Sequence, residues 1–138
     1  MAGMNDFNGQ VIEEFRAKGG RLGGQFEGAP MLLLHHKGAK SGTERVNPVM
    51  YQQVGDKLAV FASKGGAPTN PDWYHNLIAH PETTVEVGTE TIPVVARVAP
   101  DDERGPIWEK QKHDFPGFAE YEQQTPRKIP VVVLEPVK

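Results

Sequence analysis

Two dipeptides, Gly55-Asp56 and Gly88-Thr89, each stand between stretches of strand character, and they constrain the fold more than anything else in the chain. Two residues suffice to join antiparallel strands and are far too few for a parallel crossover. The first turn pairs a strand over 46–54 with one over 57–63; the second pairs 83–87 with a long strand over 90–98. Residues 31–36 and 129–134 are two further apolar runs of strand length. Six strands, mostly with short connections, predict a small antiparallel barrel, mainly β with flanking helices. Pro93 must sit at an edge or a bulge, because it has no N–H for the ladder.

Helical character is confined to three places. Residues 6–18 carry Phe7, Val11 and Phe15 at i, i+4 and i+8, an apolar stripe weakened by Gly9. The stripe packs on the core, lids a site or rests on a membrane. Gly19-Gly-Arg-Leu-Gly-Gly24 ends the helix in a flexible segment. No strand precedes those glycines and no βαβ unit follows, so they are not a dinucleotide fingerprint. The chain thus divides into an N-terminal segment, 1–28, and a barrel domain, 29–138.

Asn70 reads as the cap of a helix over 71–79, with Pro71 first, Asp72 at the positive end of the dipole and Pro81 as the stop. Trp73 shares one face with Leu77, and Tyr74 the next with Ile78. Residues 101–124 are helical, broken at Gly105-Pro106 and again at Pro116-Gly117. Phe115, Phe118 and Tyr121 recur there at i, i+3 and i+6. That spacing suits packing on the barrel as well as an aromatic wall over a planar ligand.

Composition narrows the function classes. The 138 residues include no cysteine, so neither disulfides nor thiolate metal sites enter, which suits a cytoplasmic protein. No apolar run approaches the length of a membrane span. A net charge of −3 argues against binding along a nucleic acid. Yet Lys37, Lys40, Arg45 and Lys64 gather in two loops, 37–48 and Ser63-Lys-Gly-Gly66. Glycines that free backbone amides, hydroxyls and a rim of cations make an anion cradle for one compact ligand. A solvated hairpin loop is the plainer reading of the first loop. The start of the 71–79 helix follows the second closely and adds orphan N–H groups.

Catalytic side chains do not stand out. His35 and His36 are adjacent on a strand and point to opposite faces, and His75 and His80 are poorly spaced for one metal, so no metal site is expected. Ser63 has no base partner fixed by sequence, and the carboxylate pairs Glu13-Glu14 and Asp101-Asp102 are solvated positions. A strong anion site without a protein catalyst is what results when a bound cofactor carries the chemistry.

Several ordered motifs agree with one family. Lys40-Ser-Gly-x-x-Arg-x-Asn-Pro48, Ala62-Ser-Lys-Gly-Gly66, Asn70-Pro-x-Trp-Tyr-x-Asn76, Asn76-Leu-x-Ala-x-Pro81 and Ile129-Pro-Val-Val-Val133 resemble the deazaflavin-dependent nitroreductase family. The resemblance runs from about Met31 to the end. It implies a split β-barrel holding coenzyme F420, a flavin analogue with a phosphodiester and an oligoglutamate tail. Reduced F420 would pass a hydride to quinones, nitroaromatics or activated double bonds.

By the same likeness, Ala39, Lys40, Ser41 and Arg45 hold the phosphate and lactyl region. Val46, Asn47, Pro48, Val49 and Met50 line the ring system. Phe61, Ala62, Ser63 and Lys64 edge the ring and reach the tail, and Asp72, Trp73, Tyr74, His75 and Asn76 close the pocket. Family members that activate nitroimidazoles carry tyrosines where this chain has Met50, Phe115 and Phe118; Tyr121 keeps its hydroxyl. The likeness therefore implies a more apolar substrate wall of Phe115, Phe118 and Tyr121, with Tyr121, Ser63 or water as proton source. The expected acceptor is a planar, apolar small molecule. The protein is expected as a monomer or weak dimer, with peripheral membrane contact through the N-terminal helix as the one link to a membrane. The rival readings are an FMN enzyme of the same fold and a non-catalytic cofactor carrier.

Overall fold

The computed structural model describes residues 2–20, 30–63, 70–126 and 128–137, the side chains of residues 2–8 excepted. In chain order the elements are α1 (Ala2–Ala17), β1 (Met31–Lys37), β2 (Glu44–Val54), β3 (Lys57–Phe61), α2 (Asp72–Ala79), β4 (Glu82–Val87), β5 (Glu90–Val98), α3 (Asp101–Asp114), α4 (Gly117–Gln124) and β6 (Val131–Pro136). The six strands close into an antiparallel barrel in the order β1-β2-β3-β6-β5-β4, with β4 returning to β1. Both expected hairpins form, with Val54 opposite Lys57 and Val87 opposite Glu90. Gly55 and Gly88 occupy the left-handed region at φ 62° and 60°, where a side chain would be strained.

Strand parity explains why β1 is apolar throughout. Leu32 and Leu34 face the interior with Leu58, Val60, Val85, Val94, Val132 and Leu134. Met31 and Leu33 face outward and are covered by Val11 and Phe15 of α1. The same two-sided burial runs through β3 and β6, whose outward Ala59, Phe61, Val131 and Val133 pack under Ile107, Trp108 and Phe118. Burying one large apolar side chain contributes about 1.5–3 kcal/mol, so the covering helices belong to the core. Trp73 and Leu77 of α2 join the interior cluster and close one mouth of the barrel. Val11 and Phe15 are therefore unavailable to a membrane, and the Phe7 side chain lies outside the described residues. Among those residues no helix is long and apolar enough to cross a membrane.

His35 continues the outward line of Met31 and Leu33 and meets Glu86 of β4. Its Nε2 lies 2.7 Å from Glu86 Oε2, which also accepts from Arg16 Nη2 of α1 at 2.7 Å. The Arg16 guanidinium, joined by His35, holds the Glu86 carboxyl down at about 2, against 4.5 for the free group. A depressed carboxylate stabilises the fold above its unfolded value and loses that contribution as pH falls. Melting temperature is thus expected to drop between about pH 4.5 and 2 in the native chain, and along a flatter profile in Glu86→Gln. Thermal melts of the two proteins across that range make the check.

Several local expectations are corrected. Pro71, not Asn70, occupies the capping position of α2; its φ of −67° and ψ of 157° suit the extended cap, and no side chain closes it. Asp101–Asp114 runs unbroken through Gly105-Pro106. Pro106 removes one helical donor, but burial of Ile107, Trp108 and Gln111 outweighs that loss. Ser63 falls just past the end of β3, and β6 begins at Val131 because Pro130 instead turns its carbonyl to the Ala62 N–H. Pro93 is exposed where pairing with β6 runs out, and its carbonyl accepts from the Val137 N–H at 2.9 Å.

Candidate cofactor site

The loop between β1 and β2 is wound on its own backbone. Gly38 N–H donates to Thr43 O and Gly42 N–H to Gly38 O, both at 2.9 Å, and Thr43 N–H reaches Ser41 Oγ at 3.2 Å. Gly38 is buried, a Cβ there would push the Ser41 hydroxyl out of its place, and Gly42 sits at φ 71°. Among the described residues, the N–H groups of Lys40 and Ser41 meet no acceptor, and Lys37, Lys40 and Arg45 have no ion pair. The loop opens on a cleft of about 270 Å³ lined by Gly38, Ala39, Lys40, Ser41, Arg45, Asp72, His75 and Asn76. The first turn of α2 thus meets the loop, and Asp72 there offsets part of the local positive charge.

A chain of hydrogen bonds fixes the loop to the barrel. Ala39 N–H donates to Asn76 Oδ1 at 2.9 Å. A backbone amide can only donate, so the Asn76 carbonyl must face Ala39 and its amide must face His36. Asn76 Nδ2 lies 2.9 Å from His36 Nδ1, which therefore accepts. The ring proton is then on Nε2, which donates to Asn47 Oδ1 at 2.6 Å. His36 shares the inward parity of Leu32 and Leu34 and is buried, at 4% exposure. Burial pushes its imidazole below the usual histidine range; the Asn47 hydrogen bond opposes, Arg45 adds to the lowering, and Asp72 opposes it.

A larger cleft, of about 540 Å³, opens between β1 and β4 and is lined by His35, His36, Lys37, Glu44, His80 and Glu82 among others. Its lining sets Lys37 against Glu44 and Glu82, whereas the smaller cleft sets Lys40, Arg45 and the unused amides against Asp72 alone. The chemistry of the smaller cleft is thus the one that suits an anion.

The remaining expected residues fall in distinct settings. Val46, Asn47, Pro48, Val49 and Met50 are half-buried along β2. Phe61, Ala62, Ser63 and Trp73 are buried, and Tyr74 packs half-buried on the interior cluster with its ring 5.4 Å from His75. Phe118 is buried edge-on against Phe61 at 5.6 Å and Trp108 at 6.1 Å. Phe115 and Tyr121 are half-buried beside that cluster. Lys64, with Gly65 and Gly66, lies outside the described residues.

The family profile of the F420H2-dependent quinone reductases matches residues 9–136. The chain belongs to that family. It is accordingly an F420-dependent oxidoreductase that works with the reduced cofactor. An F420H2-dependent quinone reductase of Mycobacterium tuberculosis is 40% identical over 124 residues, covering 87% of this chain and 83% of that one. Among solved structures, an F420-H2 dependent reductase superposes at a TM-score of 0.70 with 39% identity, over 77% of this chain and 94% of its own. A domain-swapped dimer superposes at 0.73 with 35% identity, over 95% and 98%. A pyridoxamine 5'-phosphate oxidase-like structure, at 12% identity, shares the fold alone.

Two features of this F420H2-dependent quinone reductase family member escape a reading of the sequence. One is the His36 chain; its signal was the inward parity of a histidine in an apolar strand. The other is a buried pair, Gln52 and Gln111. Gln52 Nε2 donates to Gln111 Oε1 and to Ile107 O, each at 3.1 Å, and Gln111 Nε2 contacts Met50 Sδ at 3.2 Å. The pair ties α3 to β2 and fixes Met50 from behind.

Proposed function

We propose that this protein reduces quinones with F420H2 bound along the β1–β2 loop and strand β2. What carries the reading is the convergence of exposed Lys40 and Arg45, without ion pairs among the described residues, and the unused Lys40 and Ser41 amides on one cleft. Reduced F420 supplies the hydride and is anionic at its phosphodiester and glutamates, which this donor set suits.

In this reading Lys40, Ser41 and Arg45 hold the phosphate, with Lys37 adding to the field. Val46 to Met50 orient the ring, and Met50 keeps its place through Gln111. Asp72, His75 and Asn76 close the cleft from α2. Phe61, Ala62 and Trp73 act from behind as rigid packing. Phe115 and Tyr121 border the acceptor and exclude water from it, and Tyr121, Ser63 or water donates the proton. The setting is cytoplasmic.

The test is titration of the apoprotein with F420 and with FMN, followed by turnover of F420H2 on a panel of quinones. Tight F420 binding with quinone turnover is expected; preference for FMN, or binding without turnover, would overturn the reading.

Tyr121 offers a finer check. Its hydroxyl has no hydrogen-bond partner among the described residues, and the ring packs edge-on against Phe118 at 5.3 Å. Tyr121→Phe is expected to leave F420 affinity nearly unchanged. Quinone oxygens take protons from water, so quinone turnover should fall little. Reduction of an activated carbon–carbon double bond should slow by up to about a hundredfold, the lower end of general-acid assistance. Equal effects on both acceptors would assign Tyr121 to packing.

A further inference from the structure

We propose that His36 is a positioning residue for the cofactor cradle, coupling the shape of the β1–β2 loop to a single proton. The proposal rests on the F420 site described above, but its core is a property of the apoprotein.

Ala39 N–H, Asn76, His36 and Asn47 form one line in which every amide and the imidazole has a single consistent orientation. Proton uptake would place an N–H on both ring nitrogens, so that His36 Nδ1 would face the Asn76 NH2 group donor to donor. Turning the Asn76 amide over repairs that contact but then presents NH2 to the Ala39 N–H, a second clash of donors. With the amide as it stands two donors face each other, and turning it over leaves the Ala39 N–H without its acceptor; either outcome costs free energy. The turned amide releases the contact that holds Ala39, and Ala39 immediately precedes Lys40 and Ser41. A proton on His36 therefore loosens the loop whose amides and cations face the ligand.

The surroundings favour the neutral form without making it unreachable. His36 is buried, and its side chain also lines the larger cleft, so protons arrive from that side. The charged and titratable groups around it are His35 and Lys37 on β1, Glu44 and Arg45 on β2, Asp72 and His80 on α2 and after it, and Glu82 on β4. Burial and Arg45 disfavour the imidazolium, while Asp72 favours it. At neutral pH the line is intact, and it fails as pH falls below the ordinary histidine range.

Nitrogen-15 spectra of the apoprotein test the line directly. The expected result is a neutral His36 protonated on Nε2, with the Ala39 amide proton shifting on acidification at the same midpoint. An Nδ1–H tautomer, or an Ala39 amide that ignores the His36 titration, would overturn the proposal.

The functional arm compares F420 affinity from neutral to mildly acidic pH in the native chain and in His36→Gln. Protons taken up by the ligand itself are common to both proteins and cancel. The native chain should lose about five- to tenfold more affinity on acidification, the equivalent of about one hydrogen bond. Identical pH profiles would sink the idea.

Asn47→Asp provides a variant with the opposite sign. A carboxylate facing Nε2 stabilises the imidazolium, so the midpoint for both Ala39 and affinity should rise by about one pH unit. No upward shift in a folded Asn47→Asp protein would count against the line as drawn. If the native chain binds no F420 at any pH, the cofactor site and the coupling to it both fall. The apoprotein spectra would still decide whether the line exists.

Discussion

Lys40→Ala and Arg45→Ala are each expected to weaken F420 binding ten- to a hundredfold while barely changing the melting temperature. Each charge-assisted contact to a phosphate contributes about 1.5–3 kcal/mol, and 1.4 kcal/mol is a factor of ten. Both side chains are exposed and neither forms an ion pair among the described residues, so the fold does not depend on them. Surface changes of that kind stay within about 0.5 kcal/mol in stability. Fluorescence titration beside thermal melts separates the two quantities. Wild-type affinity in both variants would move the anion site elsewhere. Added salt should reproduce the loss in part, since exposed cations are screened.

Phe118→Ala is expected to cost about 3–5 kcal/mol of unfolding free energy, the range for removing a buried phenyl ring. Phe118 is 8% exposed and touches Phe61, Trp108 and Tyr121 edge-on. Those rings join α4 to α3 and to the outward face of β3, so the cavity cannot close by a local shift. Denaturant unfolding gives the number. A loss near 1 kcal/mol or less would mean that Phe118 is a wall residue with solvent or ligand on one side. Phe118→Leu, which keeps most of the volume, should recover more than half of the stability.

The two readings of 115, 118 and 121 left open by their spacing are divided by this cluster. Phe118 turns inward, while Phe115 and Tyr121 stay half-buried. Periodicity could not separate them, because Phe115 falls in the break between α3 and α4, where helical spacing does not hold, while Tyr121 lies about 60° around α4 from Phe118. The barrel was legible because its information is local: two glycine turns, and apolar runs of strand length. The cationic loop was legible for the same reason. The Asn76 relay was not, since His36 meets Asn47 and Asn76 across 11 and 40 residues. Gln52 and Gln111, 59 residues apart, look like ordinary surface amides until α3 is laid on β2. The start of α2 was misjudged by one residue because asparagine's preference for the cap competed with a proline whose fixed φ also fits it.

The barrel is not equally sewn around its circumference. β1 and β2 are joined over seven residue pairs, whereas β1 and β4 share two, Leu33 with Glu86 and Leu34 with Val85. Glu86 stands at that short join and is gripped from both sides by His35 and Arg16. The cylinder therefore has a tear line, held by few backbone bonds, the Glu86 buckle and the Thr83 hydroxyl, which donates to the His35 carbonyl. Deuterium should enter there first, at the amides of Lys37 and Thr84, well before the β1–β2 ladder exchanges. The anion loop grows directly from the loose end of β1, so a ligand that stiffens the loop also slows fraying at the tear. Occupancy of the cleft would then be readable as deuterium protection on the far side of the strand, at backbone that the ligand never touches.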